Sequence, residues 1–391
     1  MENKVSFKSL GIKDSILEKL KENKIIEPTL VQAQSIPVIQ AKKSLIFQSE
    51  TGTGKTLAYL LPLVTRCEDA ENPKKDIKIL IVAPTVELAS QIKTQAKIVT
   101  DLKTALFVGG APLKRQIESL KEKPQIVIGT PARLKELIHL KKMKIENIDA
   151  IVLDEVDRLL SPEMRDYTTE LLKSAKKDIQ LIALSATITK STQKILSEAK
   201  FKQENDKHTE LETIFLPAED VLKKRITHIA VFAERRDKID ILRRILVAEN
   251  PSKALIFTGK LDQVQNIATK LIYKKIDCAV LHAKMEKNER KSAIDKFRSG
   301  KIKILITSDL TSRGLDIPEI SHVIQMDMPS NEDFFVHRSG RTARAGKTGT
   351  NIVIGDEYEL RKLALLEKKL GIKIFPKILY KGKLIAPEQN Y

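Results

Sequence analysis

The feature that most constrains this chain is a repeated alternation between short apolar runs and longer amphipathic segments. The first series of apolar runs reads SLIFQS, IKILIVAP, QIVIGTP, AIVLDE and IQLIALSAT, and the second reads KALIFTG, CAVLH, IKILITSD, HVIQMD and NIVIG. A short continuous apolar run is typical of a parallel strand that is buried on both faces. Because helical segments separate the runs, the pattern predicts an α/β fold with two domains, each a mainly parallel sheet flanked by helices.

The length of the chain agrees with two domains, since 391 residues exceed what one ordinary domain contains. Between the two series lies KFKQENDKHTELETIFLPAEDVLKKR, which is polar in its first half and contains Pro217. We predict a first domain over residues 1–215, a linker over 216–222 and a second domain over 223–391. After Asp356, the segment EYELRKLALLEKKLGIKI has apolar residues at helical spacing and should cover the second sheet.

The charge balance indicates the kind of partner. The 69 Lys and Arg residues outnumber the 51 Asp and Glu residues, which gives a formal charge of +18. This excess favours a polyanion, although a lysine-rich solvated surface would give the same balance. Aromatic residues make up only 4% of the chain and Trp is absent, so a dedicated base-stacking surface is not expected. We therefore expect any nucleic acid to be held mainly through its backbone.

The two cysteines bear on the compartment. Cys67 and Cys278 are far apart and have no companions at metal-ligand spacing, so we expect buried thiols in a reducing environment. No apolar stretch approaches the roughly 20 residues that span a bilayer, and MENKVSFKSL lacks the apolar core of a secretion signal. These observations predict a soluble, cytoplasmic protein.

A phosphate-binding loop is indicated by SETGTGKT, which follows the strand-like SLIFQ and precedes the helix-forming LAYLLPLV. Gly52 and Gly54 would let backbone amides turn toward phosphate oxygens, and the helix N-terminus adds a partial positive charge. Lys55 should reach the β and γ phosphates, and the Thr56 hydroxyl should bind Mg²⁺. The strict pattern begins with Gly, and here Ser49 takes that place.

A cluster of carboxylates stands where the run AIVLD should end. Such clusters are usually solvated surface, but beside a phosphate cradle they gain a physical role. Asp154 would hold Mg²⁺ through water, and Glu155 would orient or deprotonate the attacking water. Asp157 is less obviously catalytic and could pair with Ser185 or Thr187 in the SAT segment.

Two arginines in the second domain complete the predicted ATP site. Arg341 and Arg344 stand three residues apart in HRSGRTARAG, so both can face one direction and clamp developing charge on the γ phosphate. Their place in the second domain predicts an ATP site that is complete only when the domains close. The alternative interpretation is a basic helix face.

Taken in order, these motifs resemble those of the DEAD-box RNA helicases of helicase superfamily two, over nearly the whole chain. The nucleotide-side matches are EPTLVQ at 27–32 with Phe7 upstream, SETGTGKT, DEVD at 154–157, SAT at 185–187 and HRSGRTAR at 337–344. The other matches are PTVELA at 84–89, Gly109 and Gly110 with TPAR at 130–133, LIFTG at 255–259 and SDLTSRGLD at 308–316. The resemblance implies two RecA-like domains joined by a flexible linker, closing over ATP, Mg²⁺ and one RNA strand.

The resemblance also implies residue roles. Gln32 would read the adenine edge. The positions implied at the nucleotide are Phe7, Thr29, Gln32, Ser49, Glu50, Thr51, Gly52, Thr53, Gly54, Lys55, Thr56, Gly314 and Asp316. The positions implied at the RNA backbone are Pro84, Thr85, Gly110, Thr130, Arg133, Arg290 and Ser308. Coupling between sites would involve Asp157, Ser185, Thr187 and His337.

Several positions depart from the family pattern. Val156 replaces Ala in the tetrad, a change that repacking should absorb. Val86 stands where Arg is usual and Ala132 where Gly is usual, so both departures touch the RNA grip. Ile25 replaces an aromatic residue before EPTLVQ and can cover an adenine face only by apolar contact. Lys24 replaces a Gly there, and Lys287 replaces a Gln shortly before Arg290.

The leading hypothesis is an RNA-dependent ATPase that unwinds short RNA duplexes or remodels RNA–protein complexes, acting as a monomer. The altered RNA-side motifs leave a second hypothesis, an ATP-gated RNA clamp or assembly factor with little unwinding. A DNA helicase of the same superfamily is a third, which the match at Gln32 disfavours. The chain itself names neither the RNA nor a protein partner.

Overall fold

The computed structural model describes residues 5–48, 53–69, 77–145, 147–176, 178–185, 188–200, 212–215, 219–259, 261–282, 284–308, 317, 319–329, 332–343 and 347–387. The chain divides into two compact units, Met1–Pro217 and Ala218–Tyr391. This division falls inside the 216–222 segment that the sequence assigns to a linker, and a helix over Glu219–Lys224 begins within the same segment.

The first unit is built on a parallel sheet, which has seven strands within the described residues, in the order β3-β4-β2-β5-β6-β1-β7. The strands β1 to β7 are Leu45–Gln48, Ile79–Val82, Thr104–Phe107, Ile126–Gly129, Ala150–Asp154, Gln180–Ser185 and Glu212–Phe215. The helices α1 to α9 are Asp14–Glu22, Leu30–Gln40, Lys55–Asp69, Val86–Val99, Leu113–Leu120, Pro131–His139, Val156–Leu159, Arg165–Ser174 and Lys190–Lys200.

Strands β2, β4, β5 and β6 of this sheet are buried on both faces, as their continuous apolar runs predict. Ile79 and Ile81 of β2 belong to the core on one face, whereas Leu80 and Val82 belong to the core on the other. Val156 is fully buried in the second of these cores. The side chain that replaces Ala in the tetrad is therefore packed among apolar neighbours.

The second unit carries a sheet with eight strands among the described residues, in the order β10-β11-β9-β12-β13-β8-β14-β15. All described pairs are parallel except the antiparallel pair β14 and β15. The strands β8 to β15 are Ile226–Phe232, Ala254–Phe257, Ala279–Leu281, Ile304–Thr307, His322–Gln325, Gly349–Gly355, Ile374–Tyr380 and Lys383–Ile385. The helices α10 to α15 are Glu219–Lys224, Lys238–Glu249, Leu261–Tyr273, Lys287–Arg298, Glu332–Ser339 and Glu357–Leu370.

The sheets confirm the predicted α/β class but contain strands that the apolar runs do not reveal. These strands are β3, β7, β8, β14 and β15. Strand β7 lies in the polar segment between the two series and pairs with β1. The predicted helix after Asp356 also ends earlier than expected, at Leu370, because Gly371 takes a left-handed conformation with φ of 60°. The GIKI end of that segment leads into β14 instead.

Two smaller expectations have mixed outcomes. Both cysteines are free thiols, but only Cys67 is buried, whereas Cys278 is partly exposed, so the expectation of two buried thiols is wrong for Cys278. Within the described part of the chain, no helix combines the length and the apolar character that crossing a membrane requires.

Candidate nucleotide and RNA site

The helix that follows the phosphate loop begins two residues before the predicted segment LAYLLPLV. Helix α3 starts at Lys55, so Lys55 and Thr56 occupy its first turn. Residues 49–52, which include the predicted Ser49, Glu50, Thr51 and Gly52, lie outside the described residues. Gly54 has φ of +88°, and a Cβ there would lie 2.4 Å from Gln32 Nε2. Only glycine therefore meets both the backbone and the steric requirement at this position.

Gln32 joins the EPTLVQ segment to this loop through hydrogen bonds. Thr29 caps α2, accepting from the Gln32 backbone N–H, and the Thr29 N–H donates to Gln32 Oε1 at 2.9 Å, which forms a capping box. Gln32 Nε2 donates to the Gly54 carbonyl oxygen at 3.1 Å. These bonds fix the amide beside the phosphate loop. Because each amide atom can make a second bond, an adenine contact by Gln32 stays a prediction.

Two other residues predicted beside the adenine belong to the apolar core. Phe7 is only 2% exposed and lies in the core on one face of the first sheet, and Ile25 packs against the same core. Their nucleotide roles stay predictions.

Asp154 is the last residue of β5 and is 4% exposed. Its Oδ2 accepts a hydrogen bond of 3.1 Å from the Tyr59 hydroxyl, which comes from α3. Burial raises the pKa of the Asp154 carboxyl to about 6; the Lys55 ammonium opposes this rise and Glu155 adds to it. The structure thus brings Lys55, Asp154 and Glu155 together as the sequence predicts, and adds Tyr59.

Glu155 sits in a strained conformation between β5 and α7. Its φ of 54° and ψ of 55° are left-handed, which costs a non-glycine residue about 1 kcal/mol or more and is typical of functional sites. The side chain is 8% exposed, and its Oε2 has no hydrogen-bond partner among the described residues. A buried carboxylate oxygen left in this way can accept from a water molecule.

The donors present fit a nucleotide-bound Mg²⁺. Mg²⁺ commonly keeps several waters and is held by one or two carboxylates together with substrate phosphates. Thr56 and Asp154 offer that kind of donor set. No group of three or more His, Cys, Asp or Glu side chains that could hold a metal ion occurs in the described parts of the chain.

The predicted coupling residues are placed only in part. Ser185 ends β6, between β5 and β1, and is fully buried. Asp157 lies in α7, directly after the strained Glu155. Thr187 lies outside the described residues, so the pairing of Asp157 with the SAT segment stays a prediction.

The candidate RNA residues of the first unit lie at the neighbouring strand ends. Thr85 caps α4 after β2, with its Oγ1 accepting from Leu88 N at 3.2 Å, and the buried Pro84 precedes it. Thr130 precedes α6 after β4 without a side-chain capping bond, and Gly110, with φ of 75°, follows β3. Because β3, β4 and β2 are adjacent, these residues share one part of the sheet edge.

Arg133 is held in place by its own unit. Its guanidinium donates to the Ala111 carbonyl oxygen at 3.1 Å and pairs with Glu136 at 2.9 Å. The two departures nearby are solvent-facing: Val86 is 39% exposed in the first turn of α4, and Ala132 is exposed in the first turn of α6. Both therefore lie where a ligand can reach them.

The second unit places fewer of the predicted residues. Ser308 follows β11, and Arg290 lies in the first turn of α13. His337 belongs to α14, and Arg341 donates from Nε to the His337 carbonyl oxygen at 3.1 Å. Both side chains are 4% exposed. Gly314, Asp316 and Arg344 lie outside the described residues.

Sequence reasoning missed a buried polar chain in the second unit. Arg338 donates to Gln325 Oε1 at 3.3 Å, and Gln325 Nε2 donates to Asn351 Oδ1 at 2.9 Å. Asn351 Nδ2 bonds His228 Nδ1 at 3.1 Å, and His228 Nε2 bonds the Leu222 carbonyl oxygen at 3.0 Å. Because a carbonyl only accepts, His228 carries its proton on Nε2, and every bond in the chain points the same way.

The other end of this chain reaches the LIFTG segment. Arg338 donates to the Asp327 carbonyl oxygen at 2.9 Å, and Asp327 Oδ2 accepts from Thr258 at 3.0 Å and from Gly259 N at 2.7 Å. The chain thus ties α10, directly after the division between units, to HRSGRTAR and to LIFTG. No local pattern reveals it, since its members come from five separate segments.

The fold and the first unit's site define a class of protein. A glycine turn leading into Lys55 and Thr56, beside a carboxylate pair at the end of a parallel strand, is the arrangement of a P-loop nucleoside-triphosphate hydrolase. A second α/β unit carrying HRSGRTAR narrows the class to helicase-like motors.

Comparisons with known proteins agree. The DEAD/DEAH box helicase family matches residues 29–195, and the helicase conserved C-terminal domain matches 237–346. The chain is 37% identical to the DEAD-box ATP-dependent RNA helicase CshC of Bacillus cereus, over 92% of this chain and 90% of that protein. It is also 37% identical to the probable ATP-dependent RNA helicase YfmL of Bacillus subtilis, over 92% and 93%. The chain therefore belongs to the DEAD-box ATP-dependent RNA helicases.

Solved structures confirm the two-domain fold of this enzyme family. S. cerevisiae Dbp5 bound to RNA and ADP BeF3 aligns with a TM-score of 0.83 at 26% identity, over 95% of each chain. Mss116p bound to ssRNA and AMP-PNP aligns with a TM-score of 0.84 at 27% identity, over 97% of this chain and 81% of that one.

Proposed function

We propose that this protein is an RNA-dependent ATPase that separates short RNA duplexes or remodels RNA–protein complexes. The observation that carries the proposal is the strand order of the first sheet. The ends of β1, β5 and β6 bear the nucleotide residues, and the adjacent ends of β2, β4 and β3 bear the candidate RNA residues. One sheet therefore places the two candidate sites side by side in the first unit.

The phosphate chemistry rests on a few side chains. Lys55 binds the β and γ phosphates, while Thr56 and Asp154 hold Mg²⁺, which when bound offsets phosphate charge. Glu155, already placed with an open carboxylate oxygen, orients and activates the attacking water. Arg341 and Arg344 stabilise the charge that develops on the γ phosphate.

Strand separation follows from coupled binding. ATP and RNA each favour a closed arrangement of the two units around a flexible linker, so each ligand raises the affinity for the other. A closed RNA path that fits one bent strand better than a duplex expels the second strand. Hydrolysis and phosphate release then remove the bridge to the arginines and let the units reopen.

RNA is held through its phosphate–sugar backbone rather than through its bases. The charge of +18 and the helix N-termini at Thr85 and Thr130 support this mode of binding. We further propose that the protein acts as a monomer in the cytoplasm on ribonucleoprotein substrates. The free thiols Cys67 and Cys278 fit a reducing compartment.

The clamp hypothesis and the DNA hypothesis are not favoured, because the relatives are named as RNA helicases. One set of assays tests the choice: ATP hydrolysis without nucleic acid, with single-stranded RNA and with single-stranded DNA of the same sequence, alongside unwinding of a short RNA duplex. We expect RNA to stimulate hydrolysis and ATP to drive unwinding, with Lys55→Ala as the inactive control. Hydrolysis that ignores RNA, or that prefers DNA, would contradict the proposal; RNA retention without unwinding would support the clamp.

A further inference from the structure

Tyr59 lies beside the candidate nucleotide residues, although the apolar residues around it in the sequence predict only a core position. It lies in α3, one turn after Lys55 and Thr56, so all three residues share a face of that helix. Its side chain is fully buried within the core of the first unit. A phenylalanine would fill the same apolar space, so packing alone gives no reason for the hydroxyl.

The hydroxyl joins the two residues proposed to hold Mg²⁺. It donates to Asp154 Oδ2 at 3.1 Å. It also makes a side-chain hydrogen bond with Thr56, in which Thr56 is the donor because the single phenolic proton is already donated to Asp154. The result is one directed chain, from the Thr56 hydroxyl to the Tyr59 oxygen and from the Tyr59 hydroxyl to Asp154.

These hydrogen bonds fix the orientation of the Asp154 carboxylate and of the Thr56 hydroxyl. One oxygen of Asp154 is engaged by Tyr59, so the carboxylate cannot rotate freely and its other oxygen is oriented by default. Thr56 spends its proton on the phenol, which leaves its oxygen lone pairs available to a cation. A hydrogen bond to a charged group is among the stronger ones that proteins make, especially away from water.

We propose that Tyr59 is a positioning residue that holds the Thr56 hydroxyl and the Asp154 carboxylate ready to receive nucleotide-bound Mg²⁺. The inference rests on the proposed function and adds a residue to it. Tyr59 acts through its two partners and does not itself touch the nucleotide.

The decisive variant is Tyr59→Phe, which removes one oxygen atom and keeps the shape of the ring. Binding of a fluorescent ATP analogue is titrated at a series of Mg²⁺ concentrations and in EDTA. We expect the Mg²⁺ concentration that supports half-maximal binding to rise about tenfold, the effect of losing one hydrogen bond to a carboxylate, while binding in EDTA stays unchanged. Tyr167→Phe, at an exposed tyrosine in α8, is the matched control and should behave as the wild type.

A double-mutant cycle with Asp154→Asn separates positioning from packing. If Tyr59 acts through Asp154, the Tyr59→Phe effect on Mg²⁺ dependence is lost in the Asp154→Asn background. The melting temperature without nucleotide reports packing, and a change confined to it overturns the inference. An unaltered Mg²⁺ dependence in Tyr59→Phe also overturns it, while the function stands as long as Asp154→Asn impairs Mg²⁺-dependent binding. If Asp154→Asn has no effect either, the proposed site itself is wrong.

Discussion

The two sheets carry their polar residues at the same kind of edge but organise them differently. In the first unit, the nucleotide site is assembled from short local segments: a capped helix at Thr29, a glycine turn at Gly54 and a strand end at Asp154. In the second unit, Arg338 of α14 is held by a buried chain of side-chain hydrogen bonds that no local motif marks and that runs through Asn351 and His228. The first unit thus gathers residues from recognisable motifs, whereas the second unit holds Arg338 through contacts that only the folded structure reveals.

Because of this difference, the two units should respond differently to substitutions. In the proposed function, a change at Lys55, Asp154 or Glu155 acts on phosphate and metal directly. A change in the chain from Arg338 to His228 acts on the placement of Arg341 and on stability, because buried polar groups are costly when they lose a partner. Variants in the buried chain should therefore lower stability, whereas variants at Lys55, Asp154 or Glu155 should lower ATP hydrolysis.

The largest effect on ATP hydrolysis is expected at Arg341. Arg341→Gln removes the cation but leaves an amide that can still donate to the His337 carbonyl oxygen. We expect the RNA-stimulated hydrolysis rate to fall about 10³-fold or more, as for other arginines that stabilise a transferring phosphoryl group. Affinity for ATP in the absence of RNA should change little. A rate loss that merely follows a loss of ATP affinity would break the comparison.

The next largest effect on ATP hydrolysis is expected at Glu155. Glu155→Gln keeps the shape of the side chain and removes its basicity, so hydrolysis should fall roughly 10²- to 10⁴-fold. Because Glu155 is not a phosphate ligand in this account, RNA binding in the presence of ATP should remain. Single-turnover hydrolysis and RNA retention measure the two quantities. Hydrolysis near the wild-type rate would remove Glu155 from the chemistry.

The buried hydrogen-bonded chain should make the stability of the second unit depend on pH, because it contains His228. Burial lowers the pKa of His228 to about 4, below the usual value near 6.5. Between these values the unfolded chain binds a proton that the folded unit does not. The free energy of unfolding should therefore be fully present above pH 6.5 and fall by roughly 3 kcal/mol as pH drops through 4. Denaturant unfolding at several pH values tests this, and His228→Gln should remove this part of the pH dependence; equal slopes in both proteins would contradict it.

Val156 should matter for stability and not for chemistry. Val156→Ala restores the family tetrad but deletes two methyl groups from a fully buried position, so we expect a loss of about 1–2 kcal/mol of unfolding free energy. Chemical denaturation and ATPase assays measure the two effects. Lower ATPase activity at unchanged stability would show that this valine shapes the cradle.

The smallest effect is expected at the RNA edge. Val86→Arg restores a cation at an exposed position in the first turn of α4, so RNA affinity should rise a few-fold. The dependence of affinity on salt should steepen by roughly one phosphate contact. Val247→Arg, at an exposed valine of α11 in the second unit, controls for net charge. Equal effects from both variants would indicate nonspecific attraction.

The contrast between the units also explains what the sequence could predict. The cradle is predictable because glycines, Lys55 and Thr56 stand together and their chemistry needs that spacing. Strands β7 and β8 are hidden because ETIF lies in a polar stretch and ITHIAVF is interrupted by Thr227 and His228. The burial of His228 becomes intelligible only once Asn351 is beside it.

Tyr59 and Phe7 also show what apolar patterns in the sequence leave undetermined. Tyr59 reads as one apolar position among LAYLLPLV, and only the meeting of α3 with β5 shows that its hydroxyl reaches Asp154. Phe7, expected at the nucleotide from the family pattern, lies in the core. Apolar periodicity reports that a residue is buried, but not which polar atom it meets there.

The central claim is that ATP and RNA favour the same closed arrangement, and reciprocal affinity measures it most directly. The dissociation constant of single-stranded RNA is measured with and without AMP-PNP, and that of AMP-PNP with and without RNA, at one salt concentration. We expect each ligand to tighten the binding of the other by the same factor, on the order of tenfold or more. Affinities that are independent of each other would contradict it.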